Sequence, residues 1–182
     1  TVNRHRRLVR RYCLKLGLVW QGLTHDLSKY SPTEFWRGCK YYQGWRSPND
    51  QERLENGVSL AWLHHKGRNK HHYEYWIDYS MQALPGGMAP VPMPDRYIAE
   101  MIMDRIAASK VYMGDKYTDR SPLDYYYRGT DKAPIHPKTK AKLLYVLEML
   151  AEEGEEKTFR FIKEELVQHK RCMDWHQLEK AE

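Results

Sequence analysis

Apolar positions recur with a helical period along most of the chain, and that pattern predicts helix after helix. Between Val2 and Leu16, the positions His5, Leu8, Val9, Tyr12, Cys13 and Leu16 share one face, with Arg4, Arg7, Arg11 and Lys15 on the other. The stretch LTHDLSKYS, Leu23 to Ser31, continues a helical apolar pattern in which Leu23, Leu27 and Tyr30 flank Asp26. SPTE at Ser31 to Glu34 reads as a helix start, with a serine cap, proline in the first turn and glutamate three residues on. SPND at Ser47 to Asp50 repeats the device. It opens a helix whose stripe runs Leu54, Val58, Ala61, Trp62, His65. Gly67 to Asn69 is a short break, after which Asn69 can cap a helix carrying His71, His72, Trp76 and Tyr79.

A proline and glycine cluster from Leu84 to Asp95 interrupts the pattern. A helix resumes with Tyr97, Met101, Asp104, Ala108 and Tyr112 on one side. Residues Gly114 to Pro137 read as an irregular, tyrosine-rich connection. Two helices follow, about Thr139 to Ala151 and Glu156 to Leu178, broken near Gly154. No stretch alternates as a strand, and no internal repeat or linker is visible. The expectation is one all-α domain over residues 1–182, with the C-terminal helical pair at about 138–180 packed on it or extending from it.

Composition narrows the classes. No apolar run is long enough to span a bilayer, and no secretory signal is visible. Cys13, Cys39 and Cys172 lie far apart with no paired spacing. Reduced thiols in a cytoplasm are expected, without a disulfide framework or a thiolate zinc site. The formal charge of +6 suits anionic partners such as nucleotides or nucleic acid. The arginines of the first helix, Arg4, Arg6, Arg7, Arg10 and Arg11, either bind phosphates or form a solvated face opposite the apolar stripe.

The polar residues on the apolar faces change the picture most. His5, Asp26, His65 and Asp104 all sit at positions that should point inward. A lone inward histidine is usually a hydrogen-bonded core residue. An inward carboxylate without a partner is costly. Two such aspartates with several such histidines are explained together by a metal ion, which neutralises the carboxylates and uses imidazoles as neutral donors. Neighbours on a helix point about 100° apart. His25 and Asp26 therefore converge on one ion only if it lies close against their helix, with His5 and Asp104 arriving from other helices.

These residues resemble the HD superfamily of metal-dependent phosphohydrolases, helical proteins named for a His-Asp doublet. LTHDLSKYS is similar to the doublet with its trailing lysine. MIMDRIAASK, Met101 to Lys110, is similar to the helix that brings the last aspartate, and His5 matches the first histidine one helix upstream. More closely, the chain resembles an HD-like domain of unknown function found in bacteria and phages. That domain pairs HDLSK with a run like AWLHHKGRNKHHYEYW, Ala61 to Trp76.

The resemblance implies an HD-type helical bundle in which His5, His25, Asp26 and Asp104 ligate a divalent transition metal: manganese, iron, cobalt, nickel or zinc. It implies a second ion at His65 and His72, although this chain packs its histidine groups into a shorter segment than the two-metal branches do. His64 and His71 would then bind a substrate phosphate or orient a ligand. The implied activity is hydrolysis of a nucleotide or other small phosphate ester by activated water, with Asp26 and Lys29 in catalysis. Lys29, Arg68 and Lys110 are the candidate cations for substrate. Glu74 reads as a helix-surface residue or a general base. Two rivals from other classes are a di-iron HD-type oxygenase and a non-enzymatic nucleotide- or nucleic-acid-binding protein.

Overall fold

The computed structural model describes residues 1–81, 85–170 and Trp175. Eight α-helices carry the described chain: α1 (Val2–Leu16), α2 (Val19–Thr24), α3 (Pro32–Lys40), α4 (Pro48–Asn56), α5 (Leu60–Lys66), α6 (Asp95–Met113), α7 (Ser121–Tyr127) and α8 (Pro137–Ile162). The all-α reading therefore holds. One small departure is a two-stranded antiparallel ribbon, β1 (Ile77–Tyr79) with β2 (Met88–Pro90), in which Ile77 faces Pro90 and Tyr79 faces Met88.

The core is built on α1, α6 and α8. In α1 the buried residues are His5, Val9, Tyr12, Cys13 and Leu16, as the stripe requires. Gly17 ends the helix in the left-handed region at φ 86°, where a β-carbon would be strained. Helix α2 folds back against α1 so tightly that a β-carbon on Gly22 would come within 3.0 Å of the Cys13 side chain. Helix α6 is buried almost all round, through Ile98, Ala99, Met101, Ile102, Met103, Ile106 and Ala107. Leu143, Val146, Leu147 and Leu150 of α8 close the core. Cys13 and Cys39 are free thiols, while Cys172 lies outside the described residues. Among the described residues no helix is long and apolar enough to cross a membrane.

Several expected elements differ, each for a local reason. The helix expected from Ser47 to His65 is two helices. Gly57 adopts φ 76° and ends α4, and the Ser59 hydroxyl caps α5 by accepting from the Trp62 amide at 3.0 Å. Leu54 and Val58 are exposed. The residue α4 sends inward is Glu52, which accepts from Ser59 Oγ at 2.6 Å and from Arg37 Nη1 at 2.6 Å. No helix carries His71 and His72 either. That segment is a turn followed by a short 3-10 turn at Tyr73–Trp76 and then β1. Asn69 does not cap a helix there. Its amide donates to the His65 carbonyl and to Ser28 Oγ, both at 2.8 Å, and so ties the turn to α5.

The connection from Gly114 to Pro137 contains α7, opened by the pair Ser121-Pro122. The two C-terminal helices are joined into α8, with a kink where Gly154 takes φ 79° and ψ 173°. After Ile162 the chain makes one π-type turn, Lys163–Val167. Most of the expected stretch beyond Lys170 lies outside the described residues.

Candidate metal centre

The His-Asp doublet does not lie inside a helix. Helix α2 ends at Thr24, and Asp26 takes the left-handed conformation at φ 55°, ψ 24°, before a short 3-10 turn at Leu27–Tyr30. Aspartate tolerates this region better than most residues, and such strain collects at functional sites. The turn changes which side chains face inward. Leu23, Leu27 and Tyr30 are exposed at 49%, 50% and 46%, whereas His25 and Asp26 are buried at 3% and 1%. The inward aspartate of the sequence is present, but a backbone turn puts it there and not an apolar helix face. Arg6 holds that turn, its Nε donating to the His25 carbonyl at 2.8 Å. One of the five arginines of α1 therefore serves the architecture of the doublet.

Two groups of ligand-type atoms meet at Asp26. In the first, His5 Nε2 lies 2.9 Å from Asp104 Oδ1 and 3.4 Å from His25 Nε2. His25 Nε2 lies 3.5 Å from Asp104 Oδ1 and 3.6 Å from Asp26 Oδ2. In the second, Asp26 Oδ1 lies 3.2 Å from His65 Nε2 and 3.4 Å from His71 Nε2, and His65 Nε2 lies 2.9 Å from His72 Nε2. Within each group the donor atoms all fall within 4.8 Å of one another. Asp26 thus turns one carboxylate oxygen to each group. Lys29 Nζ sits 2.6 Å from Oδ2, with its side chain still 31% exposed.

A second ring of carboxylates orients the imidazoles. His25 Nδ1 donates to Glu100 Oε1 at 2.9 Å, and His71 Nδ1 lies 3.1 Å from the same oxygen. His65 Nδ1 donates to Glu34 Oε2 at 2.8 Å, and His64 Nδ1 to Glu34 Oε1 at 2.7 Å. A proton held at Nδ1 leaves the lone pair at Nε2, the nitrogen that each of His25, His65 and His71 turns to Asp26. Glu100 and Asp104 stand four residues apart, on one face of α6.

The electrostatics follow from burial and pairing. Burial works against ionising Asp26, yet His25 and Lys29 hold it well below the usual carboxylate range. Burial likewise opposes the charge on Asp104, and hydrogen bonds from His25 and His5 hold it well below. His71 is fully enclosed, which disfavours its cation, but Asp26 and Glu100 outweigh that and push it up to about 10. His72 moves the other way: burial, with His71 and His65 beside it, keeps it well below its ordinary value. His72 is a neutral donor at neutral pH, while His71 holds a proton that a metal would displace.

The structure brings together His5, His25, Asp26, Lys29, His65, His72 and Asp104, and places His71 among them as an inward donor. His64 is one step out, on Glu34. Arg68 is exposed and donates to the His64 carbonyl at 3.3 Å, away from the cluster. Lys110 is not at the site. It lies on the order of 9 Å further along α6 than Asp104, where it pairs with Glu155 and sits over the rings of Tyr12 and Tyr117. His136 caps α8, accepting from the Lys138 amide, and the side chain of His169 is 66% exposed. His176 lies outside the described residues. Glu100 and Glu34 escape sequence reading. Glu100 carried one usable signal, its spacing of four before Asp104, and Glu34 was accounted for by its place in a helix cap.

Glu100→Gln keeps the shape and removes the charge that holds both imidazoles. Metal affinity should fall roughly 10- to 100-fold, the usual effect of losing an outer carboxylate, with the metal-free fold retained. Titration against a chromogenic chelator reads this directly, and an unchanged affinity would make Glu100 a mere buried neighbour.

The profile of one family, described only as a family of unknown function, DUF5662, matches residues 1–149. No curated protein and no solved structure matches the chain. The matched span runs from α1 into α8 and includes every residue of the cluster, and the chain belongs to the DUF5662 family.

Proposed function

We propose that this protein is an HD-type metal-dependent phosphohydrolase acting on a nucleotide or other small phosphate ester. The observation that carries the reading is the double engagement of Asp26, with one oxygen toward His5, His25 and Asp104 and the other toward His65, His71 and His72. The donor set fits divalent ions. Asp26 Oδ1 and His71 Nε2 are buried and lack a hydrogen-bond partner although they lie 3.4 Å apart. Both atoms point at a common space and not along a bond to each other. Charge supports the same fit. Asp26, Glu34, Glu100 and Asp104 carry four negative charges against one from Lys29, a difference of three with neutral histidines. One divalent ion would leave a single negative charge and two a single positive one, so the charge suits either occupancy.

His5, His25, Asp26 and Asp104 would hold one ion, and Asp26, His65, His71 and His72 the other. What such ions supply when bound is Lewis acidity, enough to make water a nucleophile near neutral pH. The protein's own residues supply the rest. Glu100 and Glu34 fix the tautomers of His25, His71 and His65. Lys29 keeps Asp26 ionised and sets a cation at the partly open edge of the cluster, where charge builds on a phosphoryl group. Neither Arg68 nor Lys110 is placed to do this.

Elemental analysis followed by a screen of phosphorylated metabolites tests the proposal. Between one and two equivalents of metal are expected, with phosphate release that stops on chelation. His65→Ala should remove about one equivalent and leave the ion at His5, His25 and Asp104. A variant that loses stability yet keeps all its metal would make His65 a packed core histidine. The histidine-rich donor set also suits iron. Iron content with consumption of dioxygen, and no phosphate release, would assign oxidative chemistry in its place.

A further inference from the structure

Two charged side chains beside the cluster stand half-used. Arg105 directly follows Asp104 on α6, and Glu74 stands two residues after His72. Arg105 Nε and Nη1 are buried without a hydrogen-bond partner, and so is Glu74 Oε2. The two groups have opposite charge and act on each other. Asp104, Tyr125, Glu74 and Tyr73 are the ionisable groups whose fields reach the guanidinium. A purely structural pair would close, because a buried charge left open is strongly disfavoured. Among the described residues these two form no ion pair. Arg105 shares α6 with Asp104, and Glu74 lies in the short 3-10 turn that directly follows His72. Tyr73 is a neutral phenol, pushed up to about 12 by burial and by the Glu74 carboxylate, to which its hydroxyl donates; the Oε2 of Glu74 is the atom left without a partner.

We propose that Arg105 and Glu74 form the recognition end of this site and select a phosphate ester whose alcohol portion carries a further hydroxyl, as in a sugar phosphate or the ribose of a nucleotide. This rests on the phosphohydrolase reading for the reacting end alone. The guanidinium donates to phosphoryl oxygens, a match of planar donors to an oxyanion that lysine does not reproduce. Glu74 Oε2 accepts from the hydroxyl. A site that binds a hydroxyl through a buried acceptor rejects the analogue lacking it, because the acceptor is then left unpaired.

The test uses metal-loaded full-length protein and two hydrolysis-resistant probes, methylphosphonate and the phosphonate isostere of ribose 5-phosphate. Calorimetric titration should show the ribose probe binding at least about tenfold tighter. Glu74→Gln should abolish that preference and leave methylphosphonate affinity in place. Arg105→Gln should weaken both probes about tenfold or more, with partial recovery in Arg105→Lys. Both glutamine variants should keep their metal content and melt no lower than the parent, since an open buried charge does not support the fold. Equal affinity for the two probes, or a clear loss of stability in Arg105→Gln, overturns the proposal and makes the two residues a water-bridged structural pair. The readings separate cleanly. Probe discrimination without release of phosphate from any ester removes the hydrolytic assignment and leaves the recognition site standing. Phosphate release with no effect of either variant on the probes does the reverse.

Discussion

Asp26→Asn should strip the protein of most of its bound metal while leaving its helices in place. Asp26 is the one side chain common to both donor groups, one oxygen serving each. Replacing Oδ1 or Oδ2 by an amide nitrogen substitutes a donor for an acceptor at one group and leaves a weaker, neutral oxygen at the other. The loss of affinity should exceed the roughly 10- to 100-fold that removal of an outer carboxylate produces. Asp26→Ala should do more. It leaves the enclosed imidazoles of His65 and His71 without the carboxylate they face. Stranding buried cations in this way costs about 3–5 kcal/mol. Elemental analysis of both variants decides the matter. Full occupancy in Asp26→Asn would mean that the doublet is structural and that His25 and Asp26 are held for the sake of the turn.

A chelator should lower the melting temperature clearly in protein shown beforehand to hold metal. The donors come from α1, the turn after α2, α5, the loop behind it and α6, so an ion there joins α5 and its loop to the α1 and α6 side of the core. Binding to the folded state alone stabilises by about 2.7 kcal/mol at a hundredfold excess over Kd. For a chain of this size each kcal/mol moves the midpoint by roughly 2–4 °C, so a fall of about 5–10 °C is expected. The shift should grow with pH. In the metal-free protein His71 is pushed up to about 10, above its ordinary value of 6.5, by Asp26 and Glu100 against the opposition of burial. Its proton therefore stabilises the metal-free fold fully below 6.5, and that contribution fades as the pH rises toward 10. Metal must displace the same proton, so its advantage widens over that window. A chelator shift that is equal at pH 6.5 and pH 9 would place His71 outside the metal site. No shift at either pH would put the metal at the periphery.

How much of this was legible beforehand depended on the kind of signal. Helix α1 was readable because its period is local: six inward positions at helical spacing leave Arg4, Arg7, Arg11 and Lys15 the outer face, and all four are exposed, while Arg6 turns to the His25 carbonyl. The ordered set His5, His25-Asp26, Asp104 was readable as a resemblance, and the structure brings its ligand atoms within 4.8 Å of one another. The reasoning from faces was less sound. Leu23 and Leu27 suggested a core-facing helix around Asp26, and both are exposed. Leu54 and Val58 suggested one long helix to His65, and Gly57 breaks it. In each case a backbone turn at positive φ, at Asp26 or Gly57, breaks the single helix that the apolar spacing assumed, and periodicity carries no record of such a turn.

The sequence by itself determined the helical architecture, the inward face of α1 and the inventory of histidines and carboxylates, because these follow from local spacing and residue chemistry. Only the tertiary structure decided that His71 is an inward donor, that Glu100 holds one imidazole from each group, that Lys110 belongs to an ion pair with Glu155 and that Arg105 and Glu74 each bury polar atoms without a hydrogen-bond partner. The physical reason is range. A helical face is set by neighbours three and four residues away, whereas the partner of a buried charge is set by whichever distant segment the packing brings against it. Glu100 meets His25 across 75 residues.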